Sequence, residues 1–432
     1  YQVQAVDAAG NASGFSSEIT VVTPPAPPDW WGAGWAYRLP LVVGAAGFDR
    51  GDHVVDVPVD FTALLAAVGL ASEVDVSALR LVEVDALGGG LDEAVPFQFD
   101  PAPGFHPVTA AQGTLVLQLT GVTPATAERR YHLYFSPPGT GAVPPVVPPE
   151  VVVTDNVVDE GQASLRFETV TGTLYYHKQG AGFSSWVDAG GNDWLGYKPT
   201  GGSAGNYRGI PNMVYPEGHF HPGATSSTST LRSAGPLKAT VHSITTDGLW
   251  ECQWEIYGRF ARMTVLRANG NYWFLYEGTP GGLLEPATDL VVRSSGVTTA
   301  ASAQWLGDLA GDEWVYFSDP NVARSLYVAL HQPDGASDSY RPMNGEMTVF
   351  GFGRNLSTGK FLTGTPKQFT IGLVDATAVN SVSPLIYSAY RDVTVQLAAL
   401  QLAPSGPDET SPTVPAGLVA GGVSPGSIGL SW

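Results

Sequence analysis

The chain has a single cysteine, Cys252, and so no internal disulfide. Trp250 and Trp254 flank it at alternate positions, which marks a buried thiol rather than a reactive one. Bacterial secreted β-proteins often lack disulfides, so the count does not point to the cytoplasm. Charge is also scarce, at 14% of residues, with 21 basic against 40 acidic side chains and a net charge of −19. Phosphate binding needs a cationic footprint, so nucleic acid and anionic membrane are excluded as partners. An acidic polysaccharide is not excluded, because a local basic pocket fits inside an acidic shell. No apolar run is long enough to insert in a bilayer, and no signal peptide opens the chain. Residue 1 falls in the middle of a strand pattern, so the sequence reads as an excerpt of a longer polypeptide. The P-loop, the dinucleotide fingerprint and the Cys-based zinc motif are all missing. Kinase and dehydrogenase readings go with them.

What is present is 52 glycines, 34 prolines, a hydrophobic content of 44% and many Val, Thr, Ser and Tyr residues. That mixture gives short strands and turns around real cores. A length of 432 residues is too great for one ordinary core and predicts two to four domains. Proline-rich stretches at 24–29 and 137–149 read as stiff linkers. They divide the chain into 1–23, 30–136, 150–402 and 403–432. The 30–136 segment alternates through short strand patterns, with a helical stretch near Phe61–Gly69, as an antiparallel sandwich does. In 150–402 strand patterns follow one another, punctuated by Asp247–Gly248, Asn269–Gly270 and Asp334–Gly335 hairpin signals. A long strand from Leu249 to Leu266, turned back through Asn269–Gly270 onto Asn271–Gly278, is expected there.

Three resemblances bear on this plan. Tyr1, Val3, Ala5, Asp7, Gly10, Asn11 and Ser13 resemble the last strands of a fibronectin type III domain. Pro412, Pro415, Leu418, Leu430 and Trp432 resemble its first two. Trp35, Tyr37 and Arg38, with the closing Tyr131–Phe135 strand, resemble accessory sandwiches that flank bacterial polysaccharide-active modules. The strand succession in 150–402 is similar to the galactose-mutarotase-like supersandwich, which recurs in polysaccharide lyases and some glycosidases. These resemblances imply an all-β protein: an accessory antiparallel β-sandwich plus a large β-sandwich or supersandwich module, flanked by partial fibronectin type III domains. They also imply an extracellular or cell-surface, secreted setting, with neighbouring copies or fibronectin-type modules as partners.

One window, Tyr207–Gly223, gathers histidines, tyrosines, an arginine and a glutamate among residues that fix backbone shape. Run extended, it sets Tyr215, Glu217, His219 and His221 on one face, with Tyr207 and Arg208 upstream. That face suits acid–base chemistry on a uronic-acid polymer. A histidine and a tyrosine handle protons, Arg208 neutralises the sugar carboxylate and Glu217 orients a histidine. It also suits a metal, since His-x-His aims two imidazoles together, or plain local hydrogen bonding.

A second row, Glu251, Glu255, Tyr257 and Arg259, alternates with the apolar Trp250, Cys252, Trp254 and Ile256. It reads as a sugar-binding face or as a solvated one. Glu251 and Glu255 stand about 13 Å apart on a strand, too far for a glycosidase pair. Lys178, Trp186 and Trp194, close to His177 and Lys198, suit an anionic glycan or act as loop anchors. The acidic loop from His331 to Glu346, with Asp334, Asp338, Tyr340 and Arg341, offers oxygen donors for a structural Ca²⁺ without EF-hand spacing. Trp30 and Trp31 either stack on sugar or pack at the linker junction.

The function expected is action on, or binding to, a polysaccharide or cell-surface glycan, with lyase-type cleavage of an acidic glycan as the first enzymatic choice. A non-catalytic adhesin, filament subunit or carbohydrate-binding protein stands against it, and a glycoside hydrolase is third.

Overall fold

The computed structural model describes residues 30–404 except 33, 141–142, 144–145, 198–207 and 215–218, together with 10–12, 14 and the backbone of 419–424 and 427–431. The first fibronectin-like segment therefore lies almost wholly outside the described residues. Of the last, Val419–Ser424 and Ser427–Ser431 form a hairpin.

The described chain is all-β in character, built from antiparallel sheets in sandwich-like layers. In the first unit, Arg50–Asp60, Gln112–Thr123 and Phe97–Pro101 form one sheet. The other is centred on Tyr37–Val43, Arg129–Phe135 and Arg80–Val84. Alternation drives Leu39, Leu41, Val57, Leu115, Leu117, Tyr131 and Leu133 into the core between them. The helix Phe61–Ala67 starts where Asp60 caps it, accepting from the Ala63 N–H at 2.8 Å. Trp30 and Trp31 pack on this unit: the Trp30 indole N–H donates to the Trp35 carbonyl at 3.0 Å and Trp31 sits against Tyr134.

The second unit places a nine-stranded sheet, from Ser227–Ala234 at one edge to Thr298–Ala300 at the other, against two four-stranded sheets. All three contribute to one core: Trp186, Phe183, Trp254, Met263, Phe274, Phe317, Phe350 and Phe369 lie in it. The expected long strand does not form. The chain folds back at Gly258–Arg259, so Glu251–Tyr257 and Phe260–Arg267 are neighbours, with Ile256 opposite Ala261. A Cβ at Gly258 would stand 2.8 Å from the Glu150 Cβ, closer than side chains pack, so Glu150 lies directly on the turn and favours glycine there. Asn269–Gly270 then carries the chain to the other layer, where Phe274–Gly278 pairs with Met347–Phe352.

The two units share a core. Val116, from the first, packs with Tyr257, Trp314, Tyr327, Val382 and Ile386. The helix Val379–Tyr390 lies over this junction, where its Ser388 carbonyl meets His53 Nδ1 at 2.5 Å. The chain then returns to the first unit. Val395–Leu397 and Gln401–Leu402 pair with Tyr37–Val43, Leu402 opposite Tyr37. The end of the 150–402 segment thus belongs to a sheet of the first unit. Among the described residues no helix is long and apolar enough to cross a membrane.

Candidate functional site

The segment after Arg208 lies between the two four-stranded sheets and stitches their edges together. Ile210 bridges to Phe183, at the edge of one sheet, and Gly209 bridges to Glu277, at the edge of the other. The Gly209 N–H donates to the Glu277 carbonyl at 2.6 Å, and the Glu277 N–H returns to Gly209 at 3.0 Å. Gly209 has φ +151°, and a Cβ there would meet Pro222 at 2.5 Å and the Phe183 carbonyl at 2.6 Å. Only glycine fits so close a crossing.

Glu277 is the centre of the arrangement. On the Phe274–Gly278 strand, Phe274 and Tyr276 face the core. Trp273 and Leu275 face the other way, with Met347 and Val349, and alternation puts Glu277 on their side. The Glu277 carboxylate meets His221 Nε2 at 3.3 Å and accepts from the Asn212 amide at 3.2 Å. All three side chains are buried. Arg208 is buried too. One of its nitrogens donates to the Gly196 carbonyl at 3.4 Å, another stands 4.0 Å from the exposed Glu346, and its Nε has no hydrogen-bond partner. Burial draws its pKa below the usual guanidinium value. Arg354 lies 5.4 Å from the Trp273 ring centroid, with Lys360 at 5.5 Å. Burial, with Arg341 nearby, lowers Arg354 to about 10 against the opposing pull of Glu277. Its Nε and Nη1 are buried without partners. Arg341 and Lys360 are half-buried and Glu346 is exposed, so the rim of this group reaches water.

Of the residues picked from the sequence, His221 is therefore brought to the Glu277 carboxylate, while the Arg208 side chain turns to Gly196 and Glu346. His219 is not brought there. Phe220 takes φ +49° and buries its ring, which breaks the alternation expected of this stretch. His219 instead meets Ser226 at 3.2 Å and lies beside Trp250. Tyr207, Tyr215 and Glu217 lie outside the described residues. Glu277, Asn212, Trp273 and Arg354 were missed. The available signal was the Trp273, Leu275, Glu277 alternation, a carboxylate on the side of a strand away from its aromatic core residues.

The second row is occupied otherwise. Glu251 pairs with His242 at 2.7 Å and Arg267 at 2.9 Å. Glu255 pairs with Lys238 at 3.3 Å. The Tyr257 hydroxyl donates to Asp56 and Arg259 reaches Asp52 at 3.3 Å, both on the first unit. Tyr257 and Arg259 border a 190 Å³ cavity between the units, with Asp52, Glu150 and Leu385. This face is the junction with the neighbouring sandwich, which a reading of one strand alone does not reveal. Trp186 and Trp194 are core residues at 1% and 0% exposure, unable to stack on a sugar. The Trp194 indole donates to Asp188 at 3.0 Å. Lys178 pairs with Asp155, and the buried His177 faces Asp159 at 3.4 Å.

In the 331–346 loop, the oxygens offered for Ca²⁺ have other partners. Asp334 pairs with Lys367 at 2.7 Å, and Asp338 accepts from the Leu309 and Gly353 N–H groups at 3.0 Å each. His331 meets Thr370 at 2.8 Å.

No protein-family model matches the sequence, and no curated protein matches it. Among solved structures, the chain has a weak similarity to a glycosyl hydrolase family 38 protein from Enterococcus faecalis. The TM-score is 0.43 at 10% identity, over 85% of this chain and 48% of that one. It is similar also to HI1317, with TM-score 0.37, 12% identity, 53% of this chain and 97% of the other. The Slr1438 protein from Synechocystis sp. PCC 6803 gives a TM-score of 0.31, 11% identity, 52% and 96%.

Proposed function

We propose that the second unit handles an acidic polysaccharide at the Glu277 site, in an extracellular modular protein. The observation that carries this reading is a buried His221–Glu277–Asn212 set beside Arg354, whose buried Nε–H and Nη1–H groups lack partners. Buried guanidinium groups with unmet donors are costly in the free protein and suit a carboxylate-bearing ligand. Against a net charge of −19, the grouping of Arg341, Arg354 and Lys360 is a local cationic patch. The layered sheets agree with the mutarotase-like resemblance of the strand pattern.

The chemistry that fits is β-elimination on a uronic-acid unit. His221, oriented by Glu277, takes the C5 proton. The arginines stabilise the charge that develops on the sugar carboxylate. The C4–O bond breaks as the C4=C5 double bond forms, and the leaving oxygen takes a proton. Tyr215 is the donor on the sequence argument, next along the chain from Val214.

The test is a panel of uronic-acid polysaccharides, followed by ultraviolet absorbance of the unsaturated product and by direct binding. Product formed by the wild type and lost in folded His221→Asn and Glu277→Gln variants is expected. Binding without product, abolished in Arg354→Leu, would make this a binding module. Neither product nor binding on any acidic polymer would overturn the reading.

A further inference from the structure

Beyond Glu277, the Pro280–Gly282 turn leads the chain to a place where three carboxylates converge. Glu285, Asp289 and Asp319 each present an oxygen, and all three oxygens lie within 4.8 Å of one another. Asp289 is fully buried at 0% exposure, and its Oδ1 has no hydrogen-bond partner. Its Oδ2 accepts from the Glu285 N–H at 2.8 Å. Amides alone reach the other two: the Asn321 N–H donates to Asp319 at 2.7 Å, and the Asn321 side chain to Glu285 at 2.6 Å. Among the described residues no lysine or arginine pairs with any of the three. Nearby Arg324 is committed to Asp188 and Asp375. Gly281, at φ +64°, gives Asp319 its room, since a Cβ there would stand 1.8 Å from Oδ2.

We propose that Glu285, Asp289 and Asp319 bind a Ca²⁺ ion. Three oxygen donors, one of them buried with an orphaned lone pair, need a hard cation to balance them. Ligand type favours calcium over magnesium: Ca²⁺ takes about six to eight oxygens in flexible geometry, whereas Mg²⁺ demands a near-ideal octahedron and keeps several waters in place of an all-protein set. The ion ties the segment after Gly282 to the end of the Glu313–Asp319 strand. It is independent of the polysaccharide reading and sits away from the loop that the sequence suggested.

Chelator-treated protein titrated with CaCl₂ in a calorimeter, with thermal unfolding in parallel, tests the proposal. A saturable one-site heat and a Ca²⁺-dependent rise in Tm are expected. Affinity falls about tenfold or more in Asp289→Asn and Asp319→Asn. Without Ca²⁺, Asp289→Asn unfolds at a higher temperature than the wild type, because it removes an unbalanced charge. The exposed Glu285→Gln leaves the core untouched, and its affinity falls too, which keeps the test open should a buried variant misfold. No heat on the wild type, or equal affinity in folded variants, would overturn the proposal.

Discussion

Arg354 shows what the proposed site costs the fold. Its guanidinium is buried on the Trp273 ring with two nitrogens lacking partners. Leucine there relieves that cost, so Arg354→Leu is expected to raise Tm while weakening binding to acidic polysaccharide about tenfold to a hundredfold, the worth of a hydrogen bond to a charged group. Thermal unfolding and a binding isotherm on the same variant check both halves. Such residues were hard to find in the sequence. Arg208 and His221 stood out because proline and glycine frame their stretch. Glu277 stood inside a plain strand, and its significance depends on Gly209 crossing beside it. His219 and His221 look equivalent on paper. A single left-handed residue, Phe220, sends them to different neighbours.

Elements carry the next level of specification. The Gly209 crossing joins two sheet edges, so Gly209→Ala forces backbone and Pro222 apart. A loss of about 2 kcal/mol or more is expected in chemical denaturation. The Glu313–Asp319 strand begins with a buried acid. Glu313 Oε2 has no partner, and burial, with Asp338, Asp334 and Asp308 adding, pushes the carboxyl from 4.5 to about 8. The folded state therefore holds a proton that the unfolded chain releases, and stability falls as pH rises through that window. Glu313→Gln keeps the acceptor for the Asp334 N–H and removes the titration. Its advantage over the wild type is expected to grow between pH 5 and pH 8 in denaturation series. At this scale most strands were legible from alternation, as in the runs now seen at Arg324–Leu330 and Lys367–Val374. The missed turn at Gly258–Arg259 was not, because the side chains alternate correctly up to it. Only the approach of Glu150 from a distant segment gives Gly258 its reason.

The whole molecule is held by its junction. Lys238, 3% exposed, meets Asp56 at 3.0 Å and Asp100 at 3.5 Å on the first unit, and Glu255 at 3.3 Å on its own. Lys238→Met leaves those carboxylates facing one another, at a cost of about 3 kcal/mol. The expected sign is a single denaturation transition splitting into two. His53 reports on the same junction. Burial lowers it from 6.5 to about 4, with the Ser388 carbonyl opposing. A folded value below the unfolded one means stability present above pH 6.5 and lost as pH falls toward 4. In His53→Gln that loss disappears, so the gap between wild type and variant narrows on acidification. None of the contacts that cross the junction was legible in sequence, since each joins residues more than a hundred positions apart in the chain.

The same long reach sets how the protein answers tension. Leu402 pairs with Tyr37 and Val395 with Val43, so the two chain ends of the described block leave its sheet side by side. A pull applied through both would not shear the ladder along its length. It would open it like a zip from the Tyr37–Leu402 end, one pair at a time, at low force, leaving the layers behind it intact. The block would hang from a loaded chain as a pendant rather than bear the load as a link.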